Sequence, residues 1–276
     1  MRYVLQCEDS VEGIFSAVYE VWERHYEGKD TSLRSMIPGE TPNLELFTEY
    51  IPVSVEKEKA EKVIRTMKRN FSPELWEVLY RTACSCGRDK ADVVYQLVRL
   101  ALKQGSRVLD CLTNPYVVRG MELSRAVGNE QHHYLGFLRF IEVSRSLLLA
   151  RYEPKNNITA MILPHFSDRL SGERLMIWDR SRNLAGISLP GKGQALVYLT
   201  EEQSELLERL KEEQLPTEEL WKTFVESISI RERENKKLQQ TNLPLRYRKD
   251  MTEFQKKEEE RQNGLTEPLS DEMRLV

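Results

Sequence analysis

Leu175-Met176-Ile177-Trp178, Leu184-Ala185-Gly186-Ile187-Ser188-Leu189 and Ala195-Leu196-Val197-Tyr198-Leu199 are short apolar runs separated by polar turns, the last turn carrying Pro190, Gly191 and Gly193. Runs of this length bounded by turn residues predict three strands joined as hairpins. Upstream, residues 137 to 152 hold two more extended runs around residues 144 to 146. Between the two sets, Ile158, Met161, Ile162 and Phe166 recur at helical spacing behind a cap at Asn156 or Asn157. The order strand, strand, helix, strand, strand, strand predicts a mainly antiparallel sheet with its helix on one face.

Toward the N-terminus the texture is helical. Tyr3, Val4 and Leu5 predict a short buried strand, and Asp9 or Ser10 caps a helix carrying Ile14, Ala17, Val18, Val21 and Trp22. Residues 28 to 43 read as a loop and residues 44 to 55 as a second extended segment, which Pro52 makes an edge strand or a short one. Ala60, Val63, Ile64 and Met67 form one helical stripe, and Ser72-Pro73 is a cap and first-turn pair for a helix through Ala83. Residues 90 to 103 form a further helix, and residues 108 to 129 are mostly helical with Gly128-Asn129 as a stop. Beyond the sheet, Thr200 to Gln203 opens a helix, Pro216 and Thr217 precede another with Leu220, Trp221, Phe224 and Ile228, and the composition after Phe254 is polar. The expected fold is α/β (α+β), a helix-rich N-terminal half packed with a mainly antiparallel sheet and helices from the C-terminal half. The expected divisions are residues 1 to 135, 136 to 254 with a basic C-terminal arm, and a flexible polar tail over 255 to 276.

Composition narrows the classes. Of 276 residues, 31% are charged and 40% hydrophobic, which excludes collagen-like and wholly disordered chains. No apolar run approaches the roughly 18 residues of a membrane span, and Cys7, Glu8 and Asp9 interrupt the place of a signal peptide, so the expectation is a cytoplasmic chain with no membrane partner. Cys84 and Cys86 are separated by one residue, too few for the usual zinc or thioredoxin-like knuckle, so neither a metal nor a disulfide framework is expected. No Walker loop, dinucleotide glycine fingerprint, nucleophile elbow or three-cysteine S-adenosylmethionine-cluster motif is present, and no cofactor is expected. The formal net charge of −3 argues against coating nucleic acid with the whole surface, but allows local patches.

Three clusters bear chemistry. In residues 130 to 140, Glu130, His132, Tyr134 and Arg139 sit at an expected helix–strand join, where they read either as an acid/base set or as a capped junction with a buried histidine. His165 and Asp168, three apart on the next helix, form an acid/base pair or a surface contact, with Arg169 beside them; Arg180 and Arg182 lie in a turn, as phosphate contacts or as a solvated tip. Residues 230 to 250 hold seven Lys or Arg, including Arg231, Arg233 and Arg246, against three acids, with Tyr247 interleaved. Such a segment either tracks a nucleic-acid backbone and stacks a base or forms an exposed charged helix and a docked arm.

Taken together, Tyr3 to Tyr19, Glu130-x-His132 with Tyr134-Leu135-Gly136-Phe137-Leu138-Arg139-Phe140, Tyr152-Glu153-Pro154 with Asn157-Ile158, Pro164-His165-Phe166-x-x-Arg169, Arg231-x-Arg233-x-Asn235 and Pro244-x-Arg246-Tyr247 resemble a bacterial family labelled "probable DNA metabolism protein" over nearly all of residues 1 to 254. The resemblance implies a DNA-related role beside a DNA-repair or DNA-modification radical S-adenosylmethionine protein, and some relatives carry a uracil-DNA-glycosylase-like domain. It supplies no reaction. His133 departs from the pattern, where a basic residue is expected, leaving His132 the stronger candidate. Three roles follow: a DNA-binding accessory protein contacting DNA through Arg180, Arg182, Arg231, Arg233, Arg246 and Tyr247; an enzyme using Glu130 or Asp168 as acid/base, His132 or His165 as proton carrier and Arg139 or Arg169 to hold an anion; or a structural partner without DNA affinity.

Overall fold

A computed structural model describes residues 1–37, 39, 44–144, 147–209, 236–248 and 251. The fold is α/β, and the chain divides into two compact units. The first is Met1–His132 with Pro154–Ile158; the second is His133–Glu153 with the described residues from Thr159 onward. The expected helix carrying Leu220, Trp221, Phe224 and Ile228, with Arg231, Arg233 and the polar tail, lies outside the described residues.

In the first unit, strands β1 (Arg2–Glu8), β2 (Thr31–Met36) and β3 (Thr48–Pro52) form a parallel sheet in the order β2-β1-β3. β3 is an edge strand, as Pro52 requires, because proline has no N–H to give a ladder. β2 falls in the stretch read as a loop, which corrects that expectation: Leu33 is its one large buried apolar side chain, and two groups of the distant helix Lys90–Gln104 support the strand. The Leu33 N–H donates to Asp92 at 3.3 Å and the Gln96 amide donates to the Thr31 carbonyl at 3.5 Å. Helix α1 (Val11–Glu23) buries Ile14, Phe15, Val18 and Val21, and its cap Ser10 accepts from the Gly13 N–H at 3.0 Å. Helices α2 (Lys57–Asn70), α3 (Pro73–Cys84), α4 (Lys90–Gln104) and the 3₁₀ turn Gly105–Asp110 complete the layer, α3 being capped by Ser72 as its sequence predicts.

Gly13 admits no side chain. A Cβ there would lie 2.5 Å from the Glu8 carbonyl, and that oxygen is fixed by accepting from the Ser10 N–H at 2.8 Å. Gly13→Ala is therefore expected to destabilise the protein by about 1–3 kcal/mol despite a helix-propensity gain near 1 kcal/mol. The midpoint of urea unfolding checks this.

Helix α5 (Pro115–Phe137) runs through the expected stop at Gly128-Asn129. Leu123, Val127, Glu130 and Tyr134 are buried at spacings of three or four, so continuing burial outweighs the local stop signal. Of the cluster over residues 130 to 140, residues 130 to 137 form the end of this helix, and residues 138 to 140 join it to the strand Ile141–Ser144, the helix–strand join the sequence predicts.

The second unit is built on β4 (Ile141–Ser144), β5 (Leu147–Tyr152), β6 (Arg174–Asp179), β7 (Leu184–Leu189) and β8 (Gly193–Tyr198), in the order β4-β5-β6-β7-β8. Pairing is antiparallel except between β5 and β6, which helix α6 (Thr159–Arg169) connects as a crossover. α6 packs on β7, where Gly186 leaves room for Thr159 and Leu163, and Ser167 bonds Ser188 at 2.8 Å. On the other face Ile141, Leu149 and Trp178 cluster with Leu207 of α7 (Glu201–Arg209). Short helices α8 (Lys236–Asn242) and α9 (Leu245–Arg248) follow. Among the described residues no helix is long and apolar enough to cross a membrane.

Candidate functional site

Glu130 is buried on α5. Its Oε1 accepts from the Lys155 N–H at 3.1 Å, and its Oε2 accepts from the Asn156 N–H at 2.8 Å and the Asn156 side-chain amide at 2.7 Å. Asn156 in turn accepts from the Cys86 N–H at 2.9 Å, and the Asn157 N–H donates to the Cys84 carbonyl at 2.8 Å. The carboxylate thus clips residues 154–158 into the first unit. Both of its oxygens are occupied by that task, whereas a general acid or base must face a reacting group.

His132 is exposed on α5; His165 and Asp168 are exposed on α6, where His165 packs edge-on against Phe166. His133 is half-buried instead, with Nδ1 3.1 Å from the Tyr247 hydroxyl and its ring stacked on Phe137. Tyr247 is only 3% exposed and also packs edge-on against Tyr134 at 4.9 Å between ring centroids. This corrects the reading of Tyr247 as a base-stacking platform: its ring is core, and it anchors α9. Arg246 donates to the Tyr247 hydroxyl and lies over its ring.

The arginines of the β6–β7 turn are held by carboxylates. Arg182 donates to Asp179 Oδ2 at 3.0 Å, Ser181 N–H donates to Oδ1 at 2.9 Å, and Arg180 lies 3.2 Å from Glu153 and 3.8 Å from Glu208. Asn183 closes the turn at φ +49°, a conformation asparagine tolerates. Arg139 donates to the Gly136 and Leu138 carbonyls, while Arg169 is exposed at the end of α6. The described turn arginines therefore read as structural, and the net charge they present is small.

Burial pushes the Asp179 carboxyl above the ordinary aspartate range, against the pull of Arg182. An acid whose pKa is raised on folding holds its proton longer in the native state, so stability falls as pH rises from the ordinary aspartate value through the raised one. Asp179→Asn is expected to flatten that fall, as read from urea midpoints taken across the acid range.

A different set of cations has no such partners. On α2, Ala60, Val63, Ile64 and Met67 face inward, and Lys62, Arg65 and Arg69 occupy the opposite side, with Lys68 on the flank. All four are exposed, no acid interrupts residues 62 to 70, and among the described residues none of the four is in an ion pair. Lys59, one turn earlier, contrasts with them: it lies within 3.1 Å of carboxylate oxygens of Glu20, Glu23 and Glu56. Lys68 sits 5.1 Å from the ring centroid of Trp76, which stacks on Tyr80 at 5.7 Å, so aromatic rings border the basic face. Sequence reading missed this set because its apolar stripe explained α2 fully; the signal was the acid-free run of four cations.

The comparisons with known proteins give a family and no activity. No curated protein matches the chain. Among solved structures, the crystal structure of RecJ in complex with Mn2+ from Thermus thermophilus is similar at 11% identity and a TM-score of 0.32, over 76% of this chain and 51% of that one. The chain thus spans about half the length of that structure. A family model described as a domain of unknown function, DUF4130, matches residues 88–253, more than half of the sequence. The chain belongs to the DUF4130 family.

Proposed function

We propose that the protein is a nucleic-acid-binding accessory protein of DNA metabolism that works beside a radical S-adenosylmethionine protein. The observation that carries the binding reading is the exposed face of Lys62, Arg65, Lys68 and Arg69, four cations within eight residues with no carboxylate to neutralise them. Phosphate contacts supply affinity without reading sequence, so cations repeating along one helix face suit a nucleic-acid backbone. Arg169 and Arg246, both exposed, are separate candidate contacts within the second unit. Arg180 and Arg182 are weaker candidates, because a phosphate must compete with the acids that already hold them. The DNA setting and the radical partner are supported by the sequence resemblance. An acid–base role for Glu130 is disfavoured by its three donors.

The test is a fluorescence-anisotropy titration of the full chain against labelled single-stranded and duplex oligonucleotides at several salt concentrations. Binding that weakens steeply with salt supports the reading. No binding to either at low salt removes it.

A further inference from the structure

Beside the basic face, within the first unit, α1, α2 and α4 line a half-open pocket of about 390 Å³. Its walls are apolar side chains, with Val18, Trp22, Val63, Met67, Phe71 and Val98 among them. Four exposed polar residues stand at its mouth: Glu23, Lys62, Thr66 and Asn70. Two of these are already engaged. The Glu23 carboxylate lies 2.8 Å from the Lys59 ammonium, and the Thr66 hydroxyl donates to the Lys62 carbonyl at 2.8 Å. Lys62 is in no ion pair and the Asn70 amide is in no hydrogen bond among the described residues. The polar chemistry left for a ligand is therefore the Lys62 cation, 5.9 Å from the centroid of the Tyr19 ring, the Asn70 amide, and the phenol of Tyr19, a half-buried residue that also lines the pocket.

We propose that this cavity binds a small amphipathic anion, a short acyl chain or apolar ring seated among Trp22, Met67 and Phe71 with a carboxylate or similar head group at Lys62 and Asn70. The volume lies at the lower end of the roughly 300–1,000 Å³ of small-molecule sites, which suits a compact ligand better than a helix, whose anchors repeat along a groove. The walls also decide against an unstacked nucleobase. Burying the hydrogen-bonding edge of a base against Val18, Val63 and Val98 leaves its polar atoms without partners, at about 1–3 kcal/mol each. An acyl chain incurs no such cost, and its head stays at the wet rim.

Octanoate is the probe, measured by isothermal titration calorimetry on the full chain with octanol and deoxyadenosine monophosphate alongside. Saturable one-site binding of octanoate is expected, with octanol weaker by about tenfold through loss of the charge-assisted contact. Lys62→Ala should abolish that preference. Leu102→Trp, a change at an exposed residue of the cavity wall, should remove octanoate binding while leaving the melting curve and oligonucleotide binding unchanged. The proposal is overturned if octanoate does not saturate, if octanol binds equally well, if Leu102→Trp leaves octanoate binding intact, or if the nucleotide binds and octanoate does not. Because oligonucleotide binding is read on the same proteins, failure of this site is distinguishable from failure of the DNA reading.

Discussion

Glu130→Ala is expected to destabilise the protein by about 3–4 kcal/mol, because it strips the acceptor from two donors of Asn156 and one of Lys155 at the point where residues 154–158 are clipped to the first unit. The Asn156 donors carry most of the cost. Asn156 is 5% exposed, so water cannot take the place of the carboxylate, whereas Lys155 is exposed and its N–H can be rehydrated. Glu130→Gln keeps the shape and one acceptor oxygen but turns an N–H₂ toward a donor, and about half the loss is expected. Thermal unfolding followed by circular dichroism measures both. An alanine variant that melts with the wild type would show that the three hydrogen bonds contribute nothing net, and would reopen Glu130 as a group held for chemistry.

The elements that were legible from sequence are those whose signal is local. Ser72-Pro73 opens α3, and the Ser72 hydroxyl accepts from the Leu75 N–H at 3.3 Å as a cap should. Thr200 and Gln203 exchange the reciprocal bonds of a capping box at the start of α7. The β6–β7–β8 meander follows from short apolar runs between turn residues. What failed depended on distant partners. β2 is a strand because β1 and the side chains of Asp92 and Gln96 take up its backbone, and none of that is visible in Thr31-Ser32-Leu33-Arg34-Ser35-Met36. The parallel pairing of β5 with β6 likewise follows from the α6 crossover rather than from the strands' own composition.

The candidate site shows the same division. Glu130, Arg180 and Arg182 were singled out because acids and guanidinium groups are the usual carriers of chemistry, but their partners lie elsewhere in the chain: Lys155 and Asn156 for one, Glu153 and Glu208 for another. Only Asp179, three residues before Arg182, was near enough to read. The His133 ring stacks on Phe137 and packs edge-on against Tyr247, partners that are distant in sequence or not readable from it. The basic face of α2 was legible in principle, since α2 as a whole has six Lys or Arg against two Glu.

That face is the basis of the functional reading, and neutralising it has the second large expected effect. If Lys62, Arg65, Lys68 and Arg69 each contact a phosphate of duplex DNA, this face alone contributes about −3.6 to the slope of log affinity against log salt, so raising salt from about 50 to 200 mM weakens its share of binding about 150-fold. Arg65→Ala, Lys68→Ala and Arg69→Ala combined leave one contact on this face, which contributes near −0.9 to the slope and a loss of only about 3.5-fold over the same range. All three side chains are exposed, so the fold should survive the change. The salt slope of duplex binding by the triple variant, measured beside the wild type, therefore tests the central claim most directly: a slope shallower by about 2.7 is the predicted result, and equal slopes for the two proteins would contradict it.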